Sequence, residues 1–158
     1  MAVKVFYPPE IITGSSDVSV FLAGTIDMGN SYNWQEEVID YIKGEYEQDG
    51  RTIYVYNPRR KDWDSSWKQS LDSPEFYQQV RWELDCMDKS TFVVFNFLEN
   101  SKSPVTMLEL GHIGGTGKAM VCCPKEFYRS GNVHIYCNRE NIPLYLDLES
   151  LLNDLLYV

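Results

Sequence analysis

The sequence contains few of the residues that metal sites and disulfide-stabilised domains require. It has four cysteines and two histidines among 158 residues, and no two cysteines are spaced as Cys-x-x-Cys. Cys122 and Cys123 are neighbours in an apolar segment, and they cannot bind one ion together because successive side chains of a strand point to opposite faces. We therefore predict no metal site, and reduced thiols in the core of a cytoplasmic protein.

Basic residues are also scarce. Lysine and arginine number 14 against 23 aspartates and glutamates, a net charge of −9 at pH 7, which disfavours a nucleic-acid backbone or an anionic membrane as partner. The one dense basic cluster, Arg59-Arg60-Lys61, precedes acidic residues, and this predicts a solvated loop rather than a phosphate clamp. No apolar segment approaches the roughly 20 residues of a membrane helix, and the first residues lack the pattern of a signal peptide. We expect a soluble protein.

The glycine motifs of phosphate binding are missing too. Gly24-Thr25 gives a backbone that can approach a ligand closely, but neither Gly-x-Gly-x-x-Gly nor Gly-Lys-Ser occurs. The run Gly114 to Gly117 falls at the end of a predicted helix and is typical of a C-cap. No Gly-x-Ser-x-Gly is present, so a serine-hydrolase triad is not indicated.

What the sequence does contain is an alternation of short β-branched segments with amphipathic ones. The predicted strands are Val18–Ala23, Thr52–Tyr56, Thr91–Phe97, Ala119–Cys123 and Val133–Tyr136. The predicted helices are Asn33–Tyr46, a helix that opens at Ser73-Pro74-Glu75 and continues through Met87, Val105–Thr116 and Leu148–Leu156. This order predicts an α/β fold with five mainly parallel strands flanked by helices. Length and composition predict one domain over residues 1–158, with residues 1–17 as a peripheral N-terminal segment.

Ligands of such open sheets bind beyond the carboxyl ends of the strands, and Glu109 is the strongest candidate there. It lies in the second turn of the helix that follows the strand Thr91–Phe97, after hydroxyls at Ser101, Ser103 and Thr106. Free amides at a helix start favour an anion or a sugar oxygen, and a carboxylate there suits attack at an anomeric carbon. The pattern alone is equally consistent with a surface glutamate near the positive end of a helix dipole.

A second carboxylate comes from the segment that contains Trp82, Glu83 and Asp85. The two acids are two residues apart, so they point to different faces of a helix and only one can easily face a crevice. Trp82 offers a flat apolar surface for a base or a sugar. Taken alone, this segment favours a solvated acidic face with Trp82 in the core.

Four segments together carry a family likeness, namely VFLAGTID at Val20–Asp27, WELDCMDKSTFVVF at Trp82–Phe95, SPVTMLELG at Ser103–Gly111 and KEFYRSGNVHIYC at Lys125–Cys137. They resemble the nucleoside 2-deoxyribosyltransferase superfamily, which also contains nucleoside 5′-monophosphate N-glycosidases. The likeness extends over most of the chain from Val20 onward, and its third segment is the most specific. It implies a single-domain flavodoxin-like or Rossmann-like sandwich.

The resemblance also implies roles for individual residues. Glu109 stands at the position of the family's nucleophile. The family usually has an aspartate as the acid; alignment on Leu84 puts Glu83 there, with Asp85 as the fallback. Asn132 resembles an asparagine that reaches into a neighbouring subunit's site, which implies a homo-oligomer, a dimer or dimer-based, with shared active sites. The substrate-binding residues that we expect are Gly24, Thr25, Trp82, Ser103, Thr106 and Asn132.

The residue six positions before the nucleophile distinguishes the branches of the family. Transferases can carry an aspartate there, which accepts a hydrogen bond from the sugar 5′-hydroxyl. Monophosphate glycosidases tend to carry a serine, because a carboxylate would repel the phosphate. Ser103 keeps the nucleotide alternative open, whereas the Pro-x-Thr-x-x-Glu-Leu-Gly helix start is closest to the transferase-like branch.

The resemblance implies an enzyme that transfers a 2-deoxyribosyl group between nucleobases through an ester on Glu109, without a metal or organic cofactor. Its partners would be small deoxynucleosides and nucleobases. The first alternative is a 2′-deoxynucleoside 5′-monophosphate N-glycosidase, and the second is a non-catalytic nucleotide-binding module.

Overall fold

Strands and helices alternate along the chain in the computed structural model, which describes residues 3–25, 32–64 and 66–156. The strands are β1 Val3–Phe6, β2 Val18–Gly24, β3 Ile53–Tyr56, β4 Phe92–Asn96, β5 Ala119–Cys122 and β6 Leu144–Tyr145. The helices are α1 Trp34–Tyr46, α2 Pro74–Lys89, α3 Pro104–Ile113, α4 Ser130–Glu140 and α5 Leu148–Asp154, with a 3₁₀ turn at Gly114–Thr116 after α3.

The strands form one six-stranded sheet in the order β1-β3-β2-β4-β5-β6. The strand pairs whose register is described are parallel. Without β1, this order is the 2-1-3-4-5 arrangement of flavodoxin-like folds. The predicted α/β fold with a parallel sheet and flanking helices is confirmed, although the sheet has six strands rather than five.

The additional strand lies in the segment predicted to be peripheral. β1 pairs with β3 in the register Val3↔Ile53 to Phe6↔Tyr56, and Val3 and Phe6 are buried. Only four residues long, β1 is stabilised by its pairing with β3 rather than by a long apolar run. Residues 3–6 are therefore part of the sheet.

The predicted fifth strand at Val133–Tyr136 is wrong, because these residues belong to α4. Val133 and Cys137 are buried, whereas Ile135 between them is exposed. A spacing of four between buried residues is helical, whereas a strand would bury every second residue. The strand after β5 is instead β6, which has only two residues.

The other elements agree with the predicted ones to within a few residues at their ends, the usual scatter of element boundaries. The predicted N-cap of α1 is confirmed, since the Asn33 side chain accepts a hydrogen bond from the Glu36 amide at 3.3 Å. Acidic Glu36 and Glu37 follow in the first turn, where they complement the helix dipole. α2 begins with Pro74 directly after Ser73, because proline at the first helical position loses no hydrogen bond.

Contacts divide the chain into two units, and a single domain therefore stays a prediction. The first unit comprises residues 1–21 and 26–90, and the second comprises residues 22–25 and 91–158. Trp34, Phe21 and Ile53 are fully buried members of the first core. In the second core, the buried Phe97 and Phe127 rings are 5.0 Å apart.

All four cysteines are free and buried, so the prediction that they are core residues is confirmed. Burial raises the pKa of the Cys86, Cys122 and Cys123 thiols to about 12 and that of Cys137 to about 11.

None of the helices in residues 3–25, 32–64 and 66–156 has the length and hydropathy to cross a membrane.

Candidate active site

Glu109 lies on the buried face of α3 in the second unit. The buried residues of this helix are Thr106, Glu109, Leu110 and Ile113, the spacing of one helical stripe. Glu109 is only 8% exposed, so the alternative of a surface glutamate is wrong. Because burial of a carboxylate is costly, such a position is more typical of a functional group than of a solvated helix residue.

A cluster of three hydroxyls lies at the start of α3. The Thr25 hydroxyl donates to the Ser101 hydroxyl at 3.1 Å, and it is also hydrogen-bonded to Ser103. The Ser101 and Ser103 hydroxyl oxygens are 2.6 Å apart. Thr25 follows β2 directly, whereas the two serines follow β4, so the cluster joins the carboxyl ends of two strands. We refer to Thr25, Ser101 and Ser103 as the hydroxyl cluster.

Ser103 has a left-handed backbone, with φ 49° and ψ 49°. This conformation costs a residue with a Cβ roughly 1–2 kcal/mol, and the following Pro104 disfavours the right-handed helical alternative. The surrounding hydrogen bonds hold it there, since the Ser103 carbonyl accepts from the Met107 amide at 3.1 Å. Such conformations persist where neighbouring structure determines them, and they concentrate at functional sites.

The remaining predicted residues of this region lie next to the cluster in sequence or share the face of Glu109. Thr106 is buried three residues before Glu109, and Gly24 ends β2 immediately before Thr25. No acidic residue occupies the first turn of α3, so this helix start provides no carboxylate of its own for its free amides. Ile26 and Asp27 of the first family-like segment lie outside the described residues.

The two candidate acids of α2, in the first unit, differ clearly in their surroundings. Glu83 is half-buried, and its Oε2 accepts a hydrogen bond from Gln79 Nε2 at 2.5 Å. Gln79 Nε2 also donates to the Pro58 carbonyl at 3.0 Å. Asp85 is exposed. The pKa of Arg81 is raised mainly by its hydrogen bond to Tyr77 and to a smaller extent by the charge of Asp85. Of the two, Glu83 is therefore the carboxyl that is held in place.

Trp82 is half-buried on α2. Its ring centroid lies 6.3 Å from that of Phe21 and 6.4 Å from that of Tyr56. Its indole N–H donates to the Glu10 carbonyl at 2.9 Å. These contacts agree with the alternative that Trp82 is a packing residue, and its role as a platform for a base stays a prediction.

The basic cluster is only in part the solvated loop that the sequence predicts, because Lys61 is exposed whereas Arg59 and Arg60 are half-buried. The Arg60 side chain is only 6% exposed; it pairs with Asp62 at 2.7 Å and lies 4.7 Å from the centre of the Trp67 ring. Arg59 donates to Gln35 Oε1 at 3.2 Å, and burial lowers its pKa. The aromatic residues of this loop were the signal for its packing, because arginine stacks on aromatic rings.

Sequence reasoning missed the buried amides of the first unit. Gln35, Asn57 and Gln79 are buried, and buried amides require specific hydrogen-bond partners. The only available signal was the spacing of four residues between Gln79 and Glu83 on one helix.

Asn132 is exposed on α4. Within the described ranges, no group of three or more histidine, cysteine, aspartate or glutamate side chains could hold a metal ion.

A comparison with models of known protein families gives the family of the chain. A family model described as "Nucleoside 2-deoxyribosyltransferase like" matches residues 17–127, which is most of the chain. The chain belongs to this family. The matched range includes Glu109, the hydroxyl cluster and both candidate acids, whereas Asn132 lies beyond it. No curated protein matches the chain as a relative.

Proposed function

We propose that this protein transfers the 2-deoxyribosyl group of a 2′-deoxynucleoside to another nucleobase, with Glu109 as the nucleophile. The observation that carries the proposal is the burial of Glu109 on α3, six residues after a serine held in a left-handed conformation. A buried carboxylate is typical of a functional site. Because the chain belongs to the deoxyribosyltransferase-like family, glycosyl transfer is the reaction that fits this carboxylate.

The proposed reaction consists of two displacements at C1′. A Glu109 carboxylate oxygen forms a bond to C1′ while the C1′–N bond breaks. The electron pair of the C1′–N bond leaves with the base. The departing ring nitrogen takes a proton from a second carboxyl group. A nitrogen of the incoming base then attacks C1′, the ester electrons return to Glu109, and the second carboxyl recovers its proton. Two inversions give net retention, and no cofactor enters either step.

We assign the second carboxyl to Glu83 in preference to Asp85. The hydrogen bond from Gln79 fixes the Glu83 carboxyl, as a proton donor requires. Asp85 is exposed beside Arg81, a position more typical of a solvated helix face. Replacement of Glu83 should therefore slow base release strongly, while Asp85→Asn should leave it close to the original rate.

The sugar contacts that we propose are the backbone at Gly24, the hydroxyls of Thr25 and Ser103, and Thr106. Hydroxyls and free amides at a helix start suit the oxygens of a deoxyribose. The same features favour the alternative of a 5′-monophosphate N-glycosidase, because neither the hydroxyl cluster nor the first turn of α3 includes a carboxylate that would repel a phosphate. In that reaction, water takes the place of the second base.

We also propose a homo-oligomer in which Asn132 reaches a neighbouring subunit's site. Exposed apolar side chains lie on the helices that carry Glu109 and Asn132, with Leu108 of α3 74% exposed and Ile135 of α4 72% exposed. A subunit interface on these helices would remove both side chains from water.

The test is incubation of the protein with deoxynucleosides or their 5′-monophosphates, with and without a second free base. A transferase yields the exchanged nucleoside with little free sugar. A glycosidase yields free base together with deoxyribose or its 5′-phosphate, whether or not a second base is present. Binding without any turnover would refute both and leave a nucleotide-binding module.

A further inference from the structure

Gln79 is a buried glutamine in the middle of α2. It is 5% exposed, and its Nε2 donates both to the Pro58 carbonyl at 3.0 Å and to Glu83 Oε2 at 2.5 Å. Gln78, the preceding residue of the same helix, is exposed. Two adjacent residues of one type therefore have opposite surroundings, and only Gln79 contacts a candidate catalytic group.

The orientation of the Gln79 amide follows from its partners. A carbonyl oxygen can only accept a hydrogen bond, so Pro58 requires the nitrogen of the amide on its side. Turning the amide over would place its oxygen against two acceptors. In the described part of the chain, Gln79 Oε1 is buried without a hydrogen-bond partner, an unfavourable state that the two donated bonds offset. The donor of the amide therefore faces Glu83 in a fixed direction.

We propose that Gln79 is a positioning residue for Glu83, which holds Oε2 as a hydrogen-bond acceptor and keeps the transferable proton on Oε1. This inference rests on the proposed function, in which Glu83 protonates the leaving base. A carboxyl oxygen that accepts a short amide hydrogen bond is the less basic of the two, so the proton resides on the other. The proton passes from Oε1 to the base nitrogen as the C1′–N bond breaks, and Gln79 keeps both of its own protons.

Loss of the Gln79 donor should change how the rate of base release depends on pH. Donation to a carboxylate stabilises the ionised form, so loss of the Gln79 donor should keep Glu83 protonated to higher pH. Base release depends on the protonated acid and falls as the pH rises, and the alkaline limb of its profile should therefore move to higher pH. A hydrogen bond to a charged group has a strength that corresponds to a shift of about one pH unit.

The experiment measures single-turnover base release against pH for Gln79→Met, which preserves length and removes the donor. Gln78→Met on the exposed side of the same helix is the matched control, and its profile should coincide with that of the original protein. In Gln79→Met, the alkaline limb should move to higher pH by about one unit. At pH values below this limb, the rate of base release should fall about tenfold, because the Glu83 carboxyl is no longer oriented. An unmoved limb would overturn the proposal.

Gln79→Glu is the second variant, in case Gln79→Met does not fold. It preserves the size of the side chain and places a second carboxyl against Glu83, which should move the limb further in the same direction. A profile identical to that of the original protein in a folded Gln79→Glu variant would equally contradict the proposal.

A double-mutant cycle separates positioning from general support of the helix. In a Glu83→Ala background, Gln79→Met should cause no further loss of rate, since the carboxyl that it positions is absent. A full additional loss would show that Gln79 acts only through Pro58 and would overturn the inference. The proposed function fails separately, if Glu109→Ala still turns over substrate. The inference about Gln79 fails alone if turnover requires Glu109 and Glu83 but not Gln79.

Discussion

The hydroxyl of Thr25, at the end of β2, is hydrogen-bonded to the hydroxyl of Ser103, at the start of α3, although the two residues are 78 positions apart in the sequence. In the 2-1-3-4-5 strand order, the strands that they follow are those at which the order reverses, and ligands of doubly wound folds bind there. This one contact therefore places the hydroxyl cluster where the topology predicts a site.

Ser103→Asp tests which 5′ group the hydroxyl cluster accepts. Aspartate tolerates the left-handed backbone of this position better than most residues, so the fold should be retained. A carboxylate should repel a 5′-phosphate, and cleavage of any monophosphate substrate should fall by tenfold or more relative to that of the nucleoside.

Asn100→Asp adds the same charge to an exposed residue of the preceding loop and is the control for Ser103→Asp. It should leave the ratio of kcat/KM values for monophosphate and nucleoside close to that of the original protein. An equal change of this ratio in both variants would mean that charge acts at long range and not through the hydroxyl cluster.

Trp82→Phe separates packing from base stacking. Phenylalanine retains a flat ring against Phe21 and Tyr56 but loses the hydrogen bond to the Glu10 carbonyl. We expect the free energy of unfolding to fall by about 1 kcal/mol, while the KM for the base changes by less than a factor of about two. A large rise in KM without loss of stability would show that the indole contacts the substrate.

Thiol reactivity tests the burial of the cysteines. Burial raises the pKa of Cys86, Cys122 and Cys123 to about 12 from the ordinary 9.0, so little thiolate exists at pH 8 and alkylation of the native protein should be slow. The folded state retains thiol protons that the unfolded state releases above pH 9, and stability should decline as the pH rises from 9 towards 12. Rapid alkylation before unfolding would contradict this.

Subunit mixing tests the shared site. Asn132→Ala and Glu109→Ala should each be inactive, and a mixture of the two should regain part of the activity, because one site then combines an intact Glu109 with an intact Asn132. Asn138→Ala, on the same helix and also exposed, should remain active alone. No recovery on mixing, with both variants folded, would remove Asn132 from the neighbouring site.

The strands and helices with strong local patterns could be predicted from the sequence. β2, β3 and β4 are rich in β-branched and aromatic residues, and β5 is a short apolar run. The N-cap residue Asn33 and the acidic residues after it indicate the start of α1. β6 has two residues, too few for any periodicity. In α4, the local run from Val133 to Tyr136 has strand-like composition, and only the longer spacing to Cys137 shows the helix.

The candidate site was predictable where it depends on chain order and not where it depends on tertiary packing. Ser103 and Glu109 lie in the loop and the helix that follow β4, so the strand–loop–helix pattern locates them. The hydrogen bond of Gln79 to the Pro58 carbonyl and the packing of Arg60 on Trp67 depend on the folded loop after β3. The spacing of Gln79 and Glu83 and the aromatic residues near the basic cluster are compatible with such contacts, but neither pattern distinguishes a buried side chain from a solvated one.

The central claim is that Glu109 carries the deoxyribosyl group, and trapping of the covalent intermediate tests it most directly. The protein is mixed with a deoxynucleoside in the absence of a second base, quenched in acid, and examined by intact-mass and peptide mass spectrometry. We predict an increase by the mass of one deoxyribosyl group, located on Glu109. The adduct should be absent from Glu109→Ala and present in Glu126→Ala, which changes an exposed glutamate. An adduct on another residue, or base exchange that persists in Glu109→Ala, would contradict the account.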